Sequence, residues 1–260
     1  MNLKQDLPGA PISAAIRRAH AQGAPALVGY LTAGFPSMAR FTEHLRAIAS
    51  AADVVEIGVP FTDPMADGVT IQRSSQSALA QGVTLRWILA QLQDMPKVSA
   101  PLLLMSYLNP LLNLGLEQLP ERAARAGVSG FIVPDLPVDE SDLLKDALAA
   151  KGIALVQMVT PVTTPERLRQ VVGASSGFVY AVTRTGVTGQ NVAVPTEVIE
   201  YLDRVRAISP VPVCAGFGIR SREQVQALQG HVDGVIIGSA LVEVLERGED
   251  PARWLAQLRG

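Results

Sequence analysis

The chain contains eight short runs of apolar and β-branched residues that recur along its whole length. Each run is apolar on both faces, which is typical of parallel strands covered by helices. The segments between them have a helical pattern; "ESDLLKDALAAKG", for example, places apolar residues at i, i+3 and i+4. The predicted strands are Ala26–Thr32, Val54–Val59, Leu102–Tyr107, Gly130–Pro134, Ala154–Thr160, Gly177–Thr183, Val211–Ala215 and Gly234–Ile237.

Eight strand–helix units in 260 residues predict a (β/α)8 TIM barrel, a parallel eight-stranded α/β fold that occupies residues 1–260 as a single domain. The segment Ile12–Gln22 precedes the first strand, and we expect it to form an extra N-terminal helix over the closed end of the barrel. The longest interval follows the second strand, which predicts an insertion there. An open doubly wound sheet is the structural alternative, but no Gly-x-Gly-x-x-Gly follows the first strand.

Charge and cysteine usage narrow the class of protein. The formal net charge is −2 without a polybasic run, which disfavours nucleic acid and anionic membranes as partners. Cys214 is the single cysteine and lies in an apolar run, so we expect a small buried core residue. The N-terminus lacks the apolar segment of a signal peptide, and prolines interrupt the uncharged stretch Val98–Leu116. These features predict a cytoplasmic protein.

The stretch "VVEIGVPFTDPMADG", residues 54–68, places a carboxylate inside an apolar strand. Alternation puts Glu56 and Gly58 on one face of that strand, so the glycine leaves space beside the acid. Burial disfavours the charged form and raises the pKa of the Glu56 carboxyl, which suits a general acid–base at the open end of a barrel. The alternative is a structural role, in which an arginine or a neighbouring strand neutralises Glu56.

Two further carboxylates follow in the next loop. Asp67 precedes a helical pattern and, taken alone, is more typical of a helix cap, so its catalytic interpretation depends on a nearby Glu56. Asp63 stands between Thr62 and Pro64, which predicts a rigid exposed turn where a partner can dock.

Glycine-bearing loops follow the sixth, seventh and eighth strands and read "TRTGVTGQN", "AGFGIRS" and "GSAL". Glycine lets the backbone approach a ligand, and Gly238 and Ser239 open a helix whose N–H groups point outward. In barrels, phosphate commonly binds at these loops. A plain helix cap is the alternative for "GSAL", and Arg184 can bind an anion or pair with a carboxylate.

These segments resemble the alpha chains of tryptophan synthase over nearly the whole length. The matching motifs, in order, are "LTAGFPS", "VEIGVPFTDPMADGVTIQ", "MSYLNP", "FIVPDLPVDES", "YAVTRTGVTG", "AGFGI" and "GSAL". The resemblance implies a barrel lyase that cleaves indole-3-glycerol phosphate to indole and glyceraldehyde 3-phosphate, the alpha reaction of L-tryptophan biosynthesis. It also implies that this chain uses no cofactor and no metal.

The resemblance assigns roles to residues of this chain, by motif. The catalytic carboxylates are Glu56 and Asp67. The remaining expected site residues are Gly189, Gly218, Gly238 and Ser239 for the phosphate, Tyr30, Tyr180 and Phe217 for the indole pocket, and Pro60, Asp63 and Asn109 for the partner. The family often has Phe where Tyr30 stands. The implied partner is a pyridoxal-phosphate beta chain in an alpha2beta2 heterotetramer.

The implied reaction agrees with the two carboxylates. A retro-aldol cleavage needs a proton on indole C3 and removal of the side-chain hydroxyl proton, and one acid of raised pKa can do both. An ionised Asp67 would stabilise positive charge at the indole nitrogen. Two alternatives stay open at this point, a sugar-phosphate isomerase or epimerase on the same barrel and a non-catalytic phosphate-binding partner subunit.

Overall fold

A computed structural model describes residues 7–183, 194–216 and 218–259 and contains a closed barrel of parallel strands. Each strand pairs with the next along the chain, and the last closes onto the first through Ala26 and Gly234. The strands are β1 Ala26–Thr32, β2 Val54–Gly58, β3 Leu102–Met105, β4 Val128–Ile132, β5 Ala154–Val159, β6 Val179–Val182, β7 Val213–Gly216 and β8 Gly234–Ile237. The predicted fold class is confirmed.

The first and last strands have the predicted bounds, whereas others shift where the backbone prevents pairing. β7 begins at Val213 rather than Val211, because Pro210 and Pro212 have no N–H to donate to the ladder. β6 begins at Val179 rather than Gly177, because Gly177 has φ +78°, outside the extended region. β4 starts two residues earlier than predicted, at a register shift against β3.

An N-terminal helix, α1 Ala10–Ala21, covers the closed end of the barrel as predicted. Ile12 and Ile16 on this helix are fully buried and join the inward-facing side chains of the strands in one apolar cluster. The Ser13 hydroxyl donates to the carbonyl of Gly177 and fixes the helix against the barrel.

Helices surround the barrel. They are α2 Phe41–Ala51, α3 Val69–Ala80, α4 Leu85–Asp94, α5 Leu108–Leu114, α6 Leu119–Arg125, α7 Asp142–Ala149, α8 Pro165–Ala174, α9 Thr196–Ile208, α10 Arg222–Ala227, α11 Ser239–Glu246 and α12 Pro251–Arg259. Two of them, α3 and α4, form the insertion predicted after β2. Ser221 caps α10 in a capping box with Gln224. No helix in the described part of the chain has the length and hydropathy needed to cross a membrane.

The two faces of the strands belong to different apolar clusters. Val55 and Ile57 point outward and pack with the helices, whereas Val54 points into the barrel, as strand alternation requires. Cys214 is fully buried in the inner cluster, which confirms its predicted core position. Glu56 therefore has to point inward, toward the open end of the barrel.

Candidate active site

Glu56 lies in the middle of β2 and is 1 % exposed. Its Oε2 has no hydrogen-bond partner, and none of the ion pairs between described residues includes it, so within those residues the neutralised-carboxylate alternative has no support. Burial, followed by the charge of Asp67, raises the pKa of Glu56 to about 8. At neutral pH the carboxyl holds its proton and can act as an acid.

Asp67 lies in the loop after β2 and is partly buried. The helix cap of α3 is Gly68, and no side chain caps this helix, so the capping interpretation of Asp67 is not supported. Burial raises the pKa of Asp67 to about 6, and the neighbouring Tyr107 side chain opposes that rise. Asp67 is therefore mostly ionised at neutral pH, whereas Glu56 is mostly protonated.

A cavity of about 180 Å³ opens at the carboxyl ends of the strands and contains both carboxylates. Of the expected site residues it brings together Tyr30, Glu56, Asp67, Tyr180, Gly218, Gly238 and Ser239. Gly189 and Phe217 lie outside the described residues, as does Arg184. The roles of all these residues remain predictions, but seven of them share one cavity.

The Tyr30 hydroxyl belongs to a buried chain of hydrogen bonds. Ser74 Oγ donates to the carbonyl of Ile71 at 2.8 Å, so Thr32 has to donate to Ser74, at 2.6 Å, and Tyr30 to Thr32, at 3.1 Å. The hydroxyl that Tyr30 has and a phenylalanine would lack is thus hydrogen-bonded within the protein, to Thr32. The sequence predicted that Gly58 leaves space beside Glu56. The Tyr30 side chain fills that space, since a Cβ on Gly58 would overlap the Tyr30 ring and hydroxyl.

The phosphate-binding prediction falls on the loops after β7 and β8. Gly218 has φ +68°, a conformation that favours glycine, and a Cβ at Gly238 would meet no atom within 4 Å. Ser239 is the first residue of α11, where backbone N–H groups lack partners inside the helix. Arg220, in the loop after β7, donates to Glu243 on α11 at 2.7 and 2.9 Å, a pairing that the sequence did not indicate.

The expected partner residues lie apart from the cavity. Pro60 and Asn109 line a separate groove of about 400 Å³ between the segments after β2 and β3. The Pro60 side chain is buried, whereas that of Asn109 is exposed to solvent. Asp63 is exposed in the adjacent turn, as predicted, and its carboxylate accepts a hydrogen bond from Thr62 Oγ1.

Several residues at the cavity were not predicted from the sequence, among them Met105, Met158 and Tyr107. Met105 and Met158 line the cavity from the ends of β3 and β5, positions that strict alternation along those strands could have found. Tyr107 follows β3 inside the motif "MSYLNP" and contacts Asp67. Its position just after the carboxyl end of a barrel strand was the available signal.

Known proteins share both the sequence and the fold. The family model for the tryptophan synthase alpha chain matches residues 16–259. The tryptophan synthase alpha chain of Nitratidesulfovibrio vulgaris (strain DP4) is 46 % identical over 242 residues, which are 92 % of this chain and 94 % of that protein. The alpha chain of Carboxydothermus hydrogenoformans is 44 % identical over 227 residues, 86 % of this chain and 85 % of its own. The chain belongs to the tryptophan synthase alpha chain family.

Solved structures agree with this membership. A structure of Mycobacterium tuberculosis tryptophan synthase superposes with a TM-score of 0.87 at 36 % identity, covering 95 % of this chain and 96 % of that one. Tryptophan synthase subunit alpha from Legionella pneumophila superposes with a TM-score of 0.84 at 30 % identity, covering 96 % and 97 %. As a tryptophan synthase alpha chain, the protein is a lyase of tryptophan biosynthesis that cleaves indole-3-glycerol phosphate. Alpha chains of this family act with a beta chain.

Proposed function

We propose that Glu56 and Asp67 carry out the alpha reaction in this chain. The observation that supports the proposal is that two carboxyls of one cavity are held in opposite protonation states at neutral pH, with pKa values of about 8 and about 6. Pairs of acids whose environments separate their pKa values are suited to divided acid and base roles.

Glu56 moves the proton. It donates its proton to indole C3, which places positive charge on the indole ring, and the resulting carboxylate then removes the proton from the side-chain hydroxyl. The carbon–carbon bond breaks as that oxygen forms the aldehyde, and the bonding electrons return to the ring. Glu56 ends protonated, as it began, so one side chain serves both steps.

Asp67 stabilises the charge that forms in between. Its ionised carboxylate accepts the indole N–H as the nitrogen becomes positive, an interaction that strengthens in the transition state. The phosphate binds at Gly218, Gly238 and Ser239, with Gly189 as a fourth group, and Tyr30, Tyr180 and Phe217 surround the indole.

The partner proposal rests on the groove of Pro60 and Asn109 and on the neighbouring Asp63 turn. We propose that this surface binds a pyridoxal-phosphate beta chain and that two of each chain form the alpha2beta2 assembly. We also propose that residues 1–260 act as one barrel domain in the cytoplasm, which the biosynthetic family supports.

An indole-release assay tests the proposal. Wild-type chain, with and without a matching beta chain, is expected to release indole from indole-3-glycerol phosphate. Asp67→Asn is expected to be severely impaired while still binding inorganic phosphate at the normal affinity. Strong cleavage by Asp67→Asn would remove Asp67 from the mechanism.

A further inference from the structure

Tyr107 connects the end of β3 to the loop that carries Asp67. The residue is 4 % exposed, and its hydroxyl oxygen accepts the N–H of Ala66 at 2.9 Å. A hydroxyl has one proton in addition to its acceptor positions, so the Tyr107 proton stays free for another partner. Asp67 directly follows Ala66, and the neighbouring Tyr107 side chain lowers the pKa of its carboxyl.

Neighbouring groups hold Tyr107 itself in place. Its ring stacks on Phe61 with 5.0 Å between centroids and 27° between planes. The next residue, Leu108, donates its N–H to the carboxylate of Asp135 at 2.9 Å, which fixes the backbone after Tyr107. The hydroxyl is therefore presented to the loop by a side chain restrained at both its ring and its backbone.

The loop is also held from its other side. Gln72 Nε2, on the first turn of α3, donates to the backbone carbonyl of Asp67 at 2.8 Å. The Asp67 segment thus lies between Gln72, which binds its backbone carbonyl, and Tyr107, which binds the preceding N–H.

We propose that Tyr107 is a positioning residue for the cleavage, which holds the segment of Ala66 and Asp67 so that the Asp67 carboxylate lies in the cavity beside the Tyr107 hydroxyl. This inference rests on the proposed role of Asp67 as the acceptor of the indole N–H. A hydroxyl beside a carboxyl favours its charged form, and the Tyr107 hydroxyl thus opposes the desolvation that raises the pKa of Asp67. A neutral Asp67 would offer the developing positive charge no opposite charge.

The test is the pH dependence of kcat/KM in Tyr107→Phe, which keeps the ring and removes the hydroxyl. We expect the acidic limb to move up by about one pH unit, so that activity is lost mainly at low pH and partly recovers at high pH. The matched control is Tyr201→Phe, which removes a hydroxyl that is buried in α9 and has no partner among the described residues. Its acidic limb is expected to coincide with that of the wild type.

A second measurement needs no turnover. Carbon-13 NMR of labelled aspartate carboxyls, with Asp67→Asn to assign the signal, gives the pKa of Asp67 in the wild type and in Tyr107→Phe. An upward shift in the variant supports the inference, and an unchanged pKa or a coincident acidic limb overturns it. If the wild type itself released no indole, the proposed function would fall, while this titration would still decide what Tyr107 does to Asp67.

Discussion

Glu56 and Asp67 reach the same cavity from one strand and the loop that follows it, and the charge of Asp67 adds to burial in raising the pKa of Glu56. The two acids are coupled, because the ionised state of one favours the protonated state of the other. The divided roles proposed for them depend on this relationship. It also determines how the protein should respond to substitution and to pH.

Glu56→Gln is expected to keep the fold and nearly abolish cleavage. Glutamine has the same shape and, like Glu56 at neutral pH, carries no charge, so burial does not oppose it. Loss of the acid and base should lower kcat by about 10²- to 10⁴-fold. Indole release measures the activity, and thermal unfolding at neutral pH checks the fold. Near-normal turnover in a folded variant would show that Glu56 does not move the proton.

The same carboxyl should make stability depend on pH. Its pKa is raised from 4.5 to about 8, so between these values the native state holds a proton that the unfolded chain has released. The protonated carboxyl contributes fully to stability below pH 4.5. This contribution is lost as the pH rises from 4.5 to about 8, at about 1.4 kcal/mol per pH unit.

Comparison with Glu56→Gln isolates this contribution, since the variant keeps Asp67 and the rest of the chain. We expect the free energy of unfolding of the wild type, from denaturant titrations, to fall relative to that of the variant as the pH is raised through the window. Parallel curves for the two proteins would contradict the raised pKa.

Gly58→Ala is expected to disturb the cavity. A Cβ at this position overlaps the Tyr30 hydroxyl and ring, so Tyr30 has to move and its hydrogen bond to Thr32 is strained. Overpacking of this kind costs about 1–3 kcal/mol, and cleavage should fall as well. Gly173→Ala in α8 is the control, because a Cβ there meets no atom within 4 Å. Equal free energies of unfolding for the two variants would mean that Tyr30 moves without destabilising the protein.

Asp63→Ala is expected to weaken binding of the beta chain while leaving the basal cleavage by the isolated chain unchanged. Asp63 is exposed and lies outside the catalytic cavity, beside the groove lined by Pro60 and Asn109. Asp146→Ala, an exposed carboxylate on α7, is the matched control. Affinity is measured by titration calorimetry with a matching beta chain. Unchanged affinity in Asp63→Ala would place the docking surface elsewhere.

The periodic part of the sequence predicted the fold well. Buried parallel strands and amphipathic helices leave patterns that depend on neighbouring residues alone, so the barrel, its N-terminal helix and the insertion after β2 could all be identified. The same alternation indicated that Glu56 and Gly58 share a face of β2. Errors occurred at strand ends, where Pro212 and the positive φ of Gly177 stop the ladder.

Contacts between distant segments could not be read from the sequence. The role of Asp67 was ambiguous because a loop aspartate before a helix is also a common cap, and only the fold shows its neighbours. The hydrogen bond that Tyr107 accepts from the N–H of Ala66 joins segments that follow different strands, and no local pattern records it. Likewise, nothing in the sequence showed that Tyr30 occupies the space beside Gly58.

The most direct test of the central claim is the titration of the Glu56 carboxyl itself, by carbon-13 NMR of labelled glutamate, with Glu56→Gln to assign the signal. We predict a pKa of about 8 for Glu56 in the wild type and a lower value in Asp67→Asn, where the neighbouring charge is absent. A pKa near the ordinary 4.5 in the wild-type protein would contradict it, because Glu56 would then have no proton to give at neutral pH.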